Sequence, residues 1–137
     1  MITLTMLGQH RIFSLYIPPV DSFYFKDEQF SDVSNVFQPK NPDYAIIGGG
    51  DLNTRIGTVK SHSNFNLSYS KNPDETVNSH GRSLLQICKS ESIIILNHLK
   101  NQGKSFDGDF TYIKGDKKSQ NDIGLSIIQD FHLLILS

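Results

Sequence analysis

Asp51 and Asn53 stand two apart at the end of Tyr44-Ala45-Ile46-Ile47-Gly48-Gly49-Gly50-Asp51-Leu52-Asn53. A carboxylate can hold a hard cation or a water, and an amide can hydrogen-bond a phosphoryl oxygen. Extended residues two apart point to one side, so the two polar groups are expected to face together, with Leu52 turned to the core. The glycines let the chain bend and let a ligand or another strand come close. A Gly-Asp turn after a strand also occurs with no chemistry attached, and these residues alone leave that open. A P-loop is excluded, because no Gly-Lys-Ser/Thr follows the glycines.

Positioning such a pair takes a strand before it and neighbours beside it. The apolar run 44–47, bounded by Pro42-Asp43 and the glycines, is read as a buried strand. Residues 2–7 and 11–17 read as two more strands, joined through Gly8 as a hairpin and closed by Pro18-Pro19. Tyr16 ends the second, where a phenol could reach a site or simply pack on the sheet. Residues 27–38 read as a helix with Asp27 at its N-cap and Phe30, Val33 and Phe37 on one face. Strand, helix, strand is the unit of an α/β layered fold.

The polar stretch 54–79 is expected to be a long surface loop. Asn78 then caps a short amphipathic helix carrying Leu84, Leu85, Ile87 and Cys88, and 92–96 is a second buried strand. Further on, 110–112 reads as a short strand, Gly115-Asp116 as a turn, and 119–126 as one strand with a polar entry. The apolar segment 131–136 could be one more. Asp107-Gly108-Asp109 is too short for a calcium loop, and His10, His62, His80 and His98 lack metal-ligand spacing, so solvated loop positions are expected for all four.

The 137 residues make one domain or part of one. Thirteen basic and 14 acidic side chains give a formal net charge of −1, which supplies no bulk electrostatic footprint for nucleic acid. Hydrophobic residues make up 37%, so the core is not generous. The single cysteine, Cys88, permits no internal disulfide and leans the reading towards an intracellular protein. The first residues do not form a signal peptide, and no apolar run is long enough to span a membrane.

The order of motifs carries a resemblance. Tyr16-Ile17-Pro18-Pro19, Gly50-Asp51-Leu52-Asn53, Asn78-x-x-Gly81-x-x-Leu84-Leu85, Phe110-Thr111 and Ser119-x-x-Asp122 follow one another over most of the chain. Together they resemble the endonuclease/exonuclease/phosphatase superfamily, and in wording the endonuclease domains of non-LTR retrotransposons. The resemblance implies an α/β (α+β) fold, the DNase I-like four-layer α/β/β/α sandwich, present here as one partial domain over 1–137. It implies a hydrolase, a metal-dependent phosphodiesterase of endonuclease type, with Mg²⁺ or Mn²⁺ as cofactor, DNA as substrate and the nucleus as the place of action. Carried over by position, Asp51 holds the metal and helps activate the attacking water, and Tyr16 offsets charge on the scissile phosphate. Asn53, Thr111 and Ser119 contact the substrate, and Asp122 orients a histidine.

The departures weigh as much. The family's metal-binding Glu and its Ser-Asp-His motif have no counterpart in these 137 residues, and Asn121 and Ile123 flank Asp122 where the family often has Ile and Tyr. His132, in an apolar run, is expected to pack rather than replace the missing histidine. Activity of these residues alone is therefore expected to be impaired or absent. A non-catalytic remnant or interaction module, and a phosphatase of small phosphoesters within the superfamily, are the alternatives. Oligomeric state is open.

Overall fold

The computed structural model describes residues 2–8, 10–38, 45–59, 67–101, 104–105, 112–120 and 122–127. Positions Phe110, Thr111, His62 and the 131–136 segment with His132 lie outside the described residues.

Hydrophobic alternation builds the first hairpin. β1 (Ile2–Leu7) and β2 (His10–Tyr16) pair antiparallel, with Ile2 opposite Leu15 and Leu4 opposite Phe13. Along β2, Phe13 and Leu15 are buried while Ile12, Ser14 and Tyr16 are exposed, the period-two pattern of a strand with one covered face. The cover is α1 (Glu28–Phe37), which buries Phe30, Val33 and Phe37, the face expected from the i, i+3, i+7 spacing. The Phe13 and Phe37 ring centroids lie 6.4 Å apart. Asp27 stands at the N-cap position with no side-chain capping bond, because its backbone is itself helical rather than extended.

Helix α1 returns the chain to β3 (Ala45–Asp51), which pairs parallel with β2. Helix α2 (Ser79–Ser90) begins at Asn78, whose side chain accepts from the Gly81 amide, and packs against α1 and against β4 (Ile93–Ile95). The chain then forms two short hairpins, β5 (Lys100–Asn101) with β6 (Lys104–Ser105) and β7 (Tyr112–Lys114) with β8 (Lys117–Ser119). The turn at Gly115-Asp116 joins the second pair. Finally β9 (Asp122–Ile127) inserts antiparallel between β3 and β4, giving the sheet order β1-β2-β3-β9-β4. The single strand expected over 119–126 is thus two: Ser119 ends a hairpin strand, and a new strand starts at Asp122 in a different sheet.

One core unites these elements. Ile46, Leu84, Ile93, Ile95, Ile123 and Leu125 have at most 1–2% of their surface exposed, and each such side chain stabilises the fold by roughly 1.5–3 kcal/mol relative to exposure. The described parts of 54–79 do not lie wholly on the surface as their polarity suggests. Among them Thr54, Ile56, Tyr69, Asn72 and Asp74 are buried. Two of the buried polar side chains are bonded internally: the Asn72 side-chain amide donates to the Gly57 carbonyl, and the Tyr69 hydroxyl to the Ile95 carbonyl. Hydrogen-bonded polar groups can be buried at little cost, which is why polarity misplaces this segment.

Candidate functional site

Parallel pairing of β2 with β3 brings their C-terminal ends together, and antiparallel β9 brings its first residue to the same edge. Tyr16 is the register partner of Asp51, and Asp51 is the partner of Asp122. Ends of this kind are where open α/β sheets place ligands.

Beyond Asp51 the strand breaks into a turn. Gly50 sits at φ +152°, and a Cβ there would collide with the Leu15 carbonyl oxygen, so only glycine lets β3 run this close to β2. The Asp51 Oδ1 atom accepts from the Asn53 amide at 3.0 Å, an Asx-type turn. Asn53 itself adopts φ +48°, a region that asparagine tolerates better than most residues. Its side-chain Nδ2 donates to the Ile17 carbonyl at 2.9 Å, while the Ile17 amide donates to the Asp51 carbonyl at 3.1 Å. Leu52 is fully buried between the two polar residues. Asp51 and Asn53 do share the cleft wall, but through a turn that hydrogen bonds hold, not by simple strand alternation.

Asn78 braces this turn from behind. Its Nδ2 donates to the Asn53 carbonyl at 3.0 Å, and its Oδ1 accepts from the Arg55 amide at 3.0 Å and the Gly81 amide at 2.7 Å. One side chain thus caps α2 and fixes the chain on both sides of Thr54. Arg55 makes a two-pronged ion pair with Asp74, at 2.9 Å and 2.7 Å. Asp74 is buried, and burial pushes its carboxyl upwards. The Arg55 guanidinium and the Gln120 and Thr76 amides outweigh that and hold it below the usual carboxylate range.

His80 and His98 are buried, not solvated. His80 lies in the first turn of α2 against the rings of Phe25 and Phe30, with centroids 4.6 Å and 5.1 Å away. Burial lowers its pKa, partly opposed by a hydrogen bond with the Leu52 backbone and by Asp27. Among the described residues its Nε2 has no partner. His98 pairs through Nε2 with Gln120 Oε1 at 3.1 Å. Both environments are assembled from distant segments, which spacing in sequence cannot reveal.

These elements enclose an open cleft of about 1030 Å³. Of the residues expected at a site, Tyr16, Asp51, Asn53 and Ser119 line it. Asp122 stands beside it by backbone register, and Thr111 lies outside the described residues. The cleft also takes in Arg55, His80, Lys117 and Lys118, which sequence reasoning did not assign to a site. The Asn78-x-x-Gly81 motif was the available signal for this wall. Among the described residues, no three His, Cys, Asp or Glu side chains are grouped to hold a metal. A hard cation at the end of β3 would be anchored on Asp51, with water and substrate oxygens completing its shell.

No family model matches the chain, and no curated protein matches it. A search of solved structures returns the "Endonuclease domain of TRAS1, a telomere-specific non-LTR retrotransposon", with a TM-score of 0.55 and 19% identity. The match covers 96% of this chain and 52% of that one, so the chain spans about half the length of the domain it resembles. The fold is a partial DNase I-like α/β fold, and its described residues form one five-stranded sheet, two two-stranded hairpins and two helices.

Proposed function

We propose that the cleft is a phosphodiester site of endonuclease type, of retroelement origin, that acts on DNA with Mg²⁺ or Mn²⁺. The observation that carries this reading is the row Tyr16–Asp51–Asp122 at one sheet edge, with the Asn53 turn directly beyond it. A scissile phosphate is anionic, and what favours its hydrolysis is a set of fixed donors and a cation where charge builds.

Each residue then has a task. Asp51 commits Oδ1 to the Asn53 amide, and Oδ2 is the oxygen offered to a cation. A divalent ion held there would acidify bound water and offset phosphate charge. Asn53, whose amide is pinned by the Ile17 carbonyl, presents its second N–H to a phosphoryl oxygen. Tyr16 offers its phenol to the same group, and Ser119 a hydroxyl from β8. The resemblance gives Asp122 the part of orienting a histidine. His80 and His98 are both buried, His80 against the Phe25 and Phe30 rings and His98 bonded to Gln120.

One carboxylate is a weak hold on an ion that sheds water reluctantly. Activity of these 137 residues alone is accordingly proposed to be impaired or absent, while cation and phosphate binding persist. The test is nicking of supercoiled plasmid in Mg²⁺ by the native chain and by an Asp51→Ala preparation, with Mn²⁺ binding measured on both. The expected result is Asp51-dependent Mn²⁺ binding and no nicking above the Asp51→Ala background. Nicking that Asp51→Ala removes would overturn the impaired reading and keep the site. Loss of Asp51-dependent Mn²⁺ binding would overturn the site itself.

A further inference from the structure

Phe23 and Tyr24 are 93% and 75% exposed, an unusual cost for two adjacent aromatic rings in a chain with a modest core. Their exposure is imposed by the segment that carries them. The Ser22 amide donates to the Pro19 carbonyl at 2.9 Å, and the Phe25 amide to the Ser22 carbonyl at 3.1 Å. The Tyr24 amide donates to Ser22 Oγ, and Gln29 Nε2 reaches the Tyr24 carbonyl. Phe25, next in sequence, is driven inward against Phe30 and His80. This anchor leaves Phe23 and Tyr24 pointing out, packed edge to face with ring centroids 5.7 Å apart.

The same segment forms one wall of the cleft. Pro19, Val20 and Asp21 line it, Val20 is 61% exposed, and the two rings follow within a few residues on the same hydrogen-bonded segment. Lys26 follows on the exposed side, and Lys117 and Lys118 stand on the cleft's β8 wall, with Asp21 and Asp116 as acidic neighbours. Nucleic acid with unpaired bases combines π-faces that stack on aromatic rings with phosphates that meet lysines.

We infer that Phe23 and Tyr24 form a stacking platform for unpaired nucleobases of a strand whose phosphates enter the cleft. This rests on the phosphodiester reading and narrows its substrate to nucleic acid that is single-stranded or opened next to the cleft. In a closed duplex the base faces are stacked on one another and unavailable to the rings. The platform therefore discriminates by strand state and not by base identity.

The experiment measures anisotropy of a fluorescein-labelled short single strand of mixed sequence, and of its duplex, against the native chain, Phe23→Ala, Tyr24→Ala and the double variant. Size-exclusion elution and thermal melts are run on all four. The native chain should bind the single strand more tightly than the duplex. Each substitution should weaken single-strand binding by about tenfold, and leave duplex binding, elution and melting nearly unchanged. A native chain that binds both probes equally, with affinities the substitutions do not move, would overturn the platform and leave the phosphodiester reading standing. A native chain that binds neither probe would overturn both. A substitution that shifts elution but not nucleic-acid binding would assign the rings to a protein contact and overturn the inference.

Discussion

The Asn78 side chain donates to the Asn53 carbonyl at 3.0 Å, which couples the start of α2 to the turn that holds Asp51. Asn78→Ala removes that bond and also the acceptor for the Arg55 and Gly81 amides. Loss of a cap together with unsatisfied amides should cost about 2–3 kcal/mol. Asn78→Asp keeps the acceptor and should cost less than Asn78→Ala. Urea denaturation of the two variants checks both the size and the order.

Gly81→Ala should be more damaging than its chemistry suggests. A Cβ at Gly81 would run into the Arg55 carbonyl oxygen, a backbone atom that cannot swing away. Helix propensity favours alanine by roughly 1 kcal/mol. A stability gain in thermal melts would therefore show that the contact relaxes easily, and a clear loss is the expected outcome.

The Arg55–Asp74 pair gives a signature at low pH. Burial raises the Asp74 carboxyl and the Arg55 guanidinium and backbone amides lower it further than that, so its folded pKa lies below the unfolded one. A depressed carboxyl contributes stability that is complete above the unfolded value of about 3.9 and fades as pH falls through the folded value. Arg55 is partly exposed, so Asp74→Asn should destabilise the protein at pH 7 by about 1.5–3 kcal/mol, the worth of a charged hydrogen bond. The gap to the native chain should shrink in melts below pH ~4. A gap independent of pH would assign Asp74 a packing role only.

Much of this frame was legible in the sequence. The faces of both helices, the Asn78 cap and the glycine-ended strand rest on local periodicity and local hydrogen bonding, which neighbouring residues determine. The Asp74 network, the partition of 119–126 between two sheets and the burial of His80 rest on contacts between distant segments. Polar composition reads the same whether a group meets water or a buried amide, so Asn72 and Asp74 look like loop residues until their partners are placed.

His80 supplies a second pH effect, in a different window. Burial lowers its pKa, so the folded protein keeps it neutral where the unfolded chain binds a proton. Stability from this group is complete above the unfolded value of about 6.5 and is lost as pH falls through the folded one. The native chain should melt at lower temperature at pH 5 than at pH 7, and His80→Gln should flatten that difference. An NMR titration placing the His80 midpoint at or above the unperturbed value would contradict it.

Binding of Mn²⁺, followed by paramagnetic broadening of backbone amide resonances, tests the assignment of the cleft most directly. The ion acts over short range and reports position without requiring turnover. Substoichiometric Mn²⁺ should broaden Asp51, Leu52 and Asn53 first, together with Tyr16 and Asp122 across the sheet, and Asp51→Asn should abolish this pattern while the remaining amides stay in place. Broadening centred elsewhere, or a pattern that survives Asp51→Asn, would contradict that assignment.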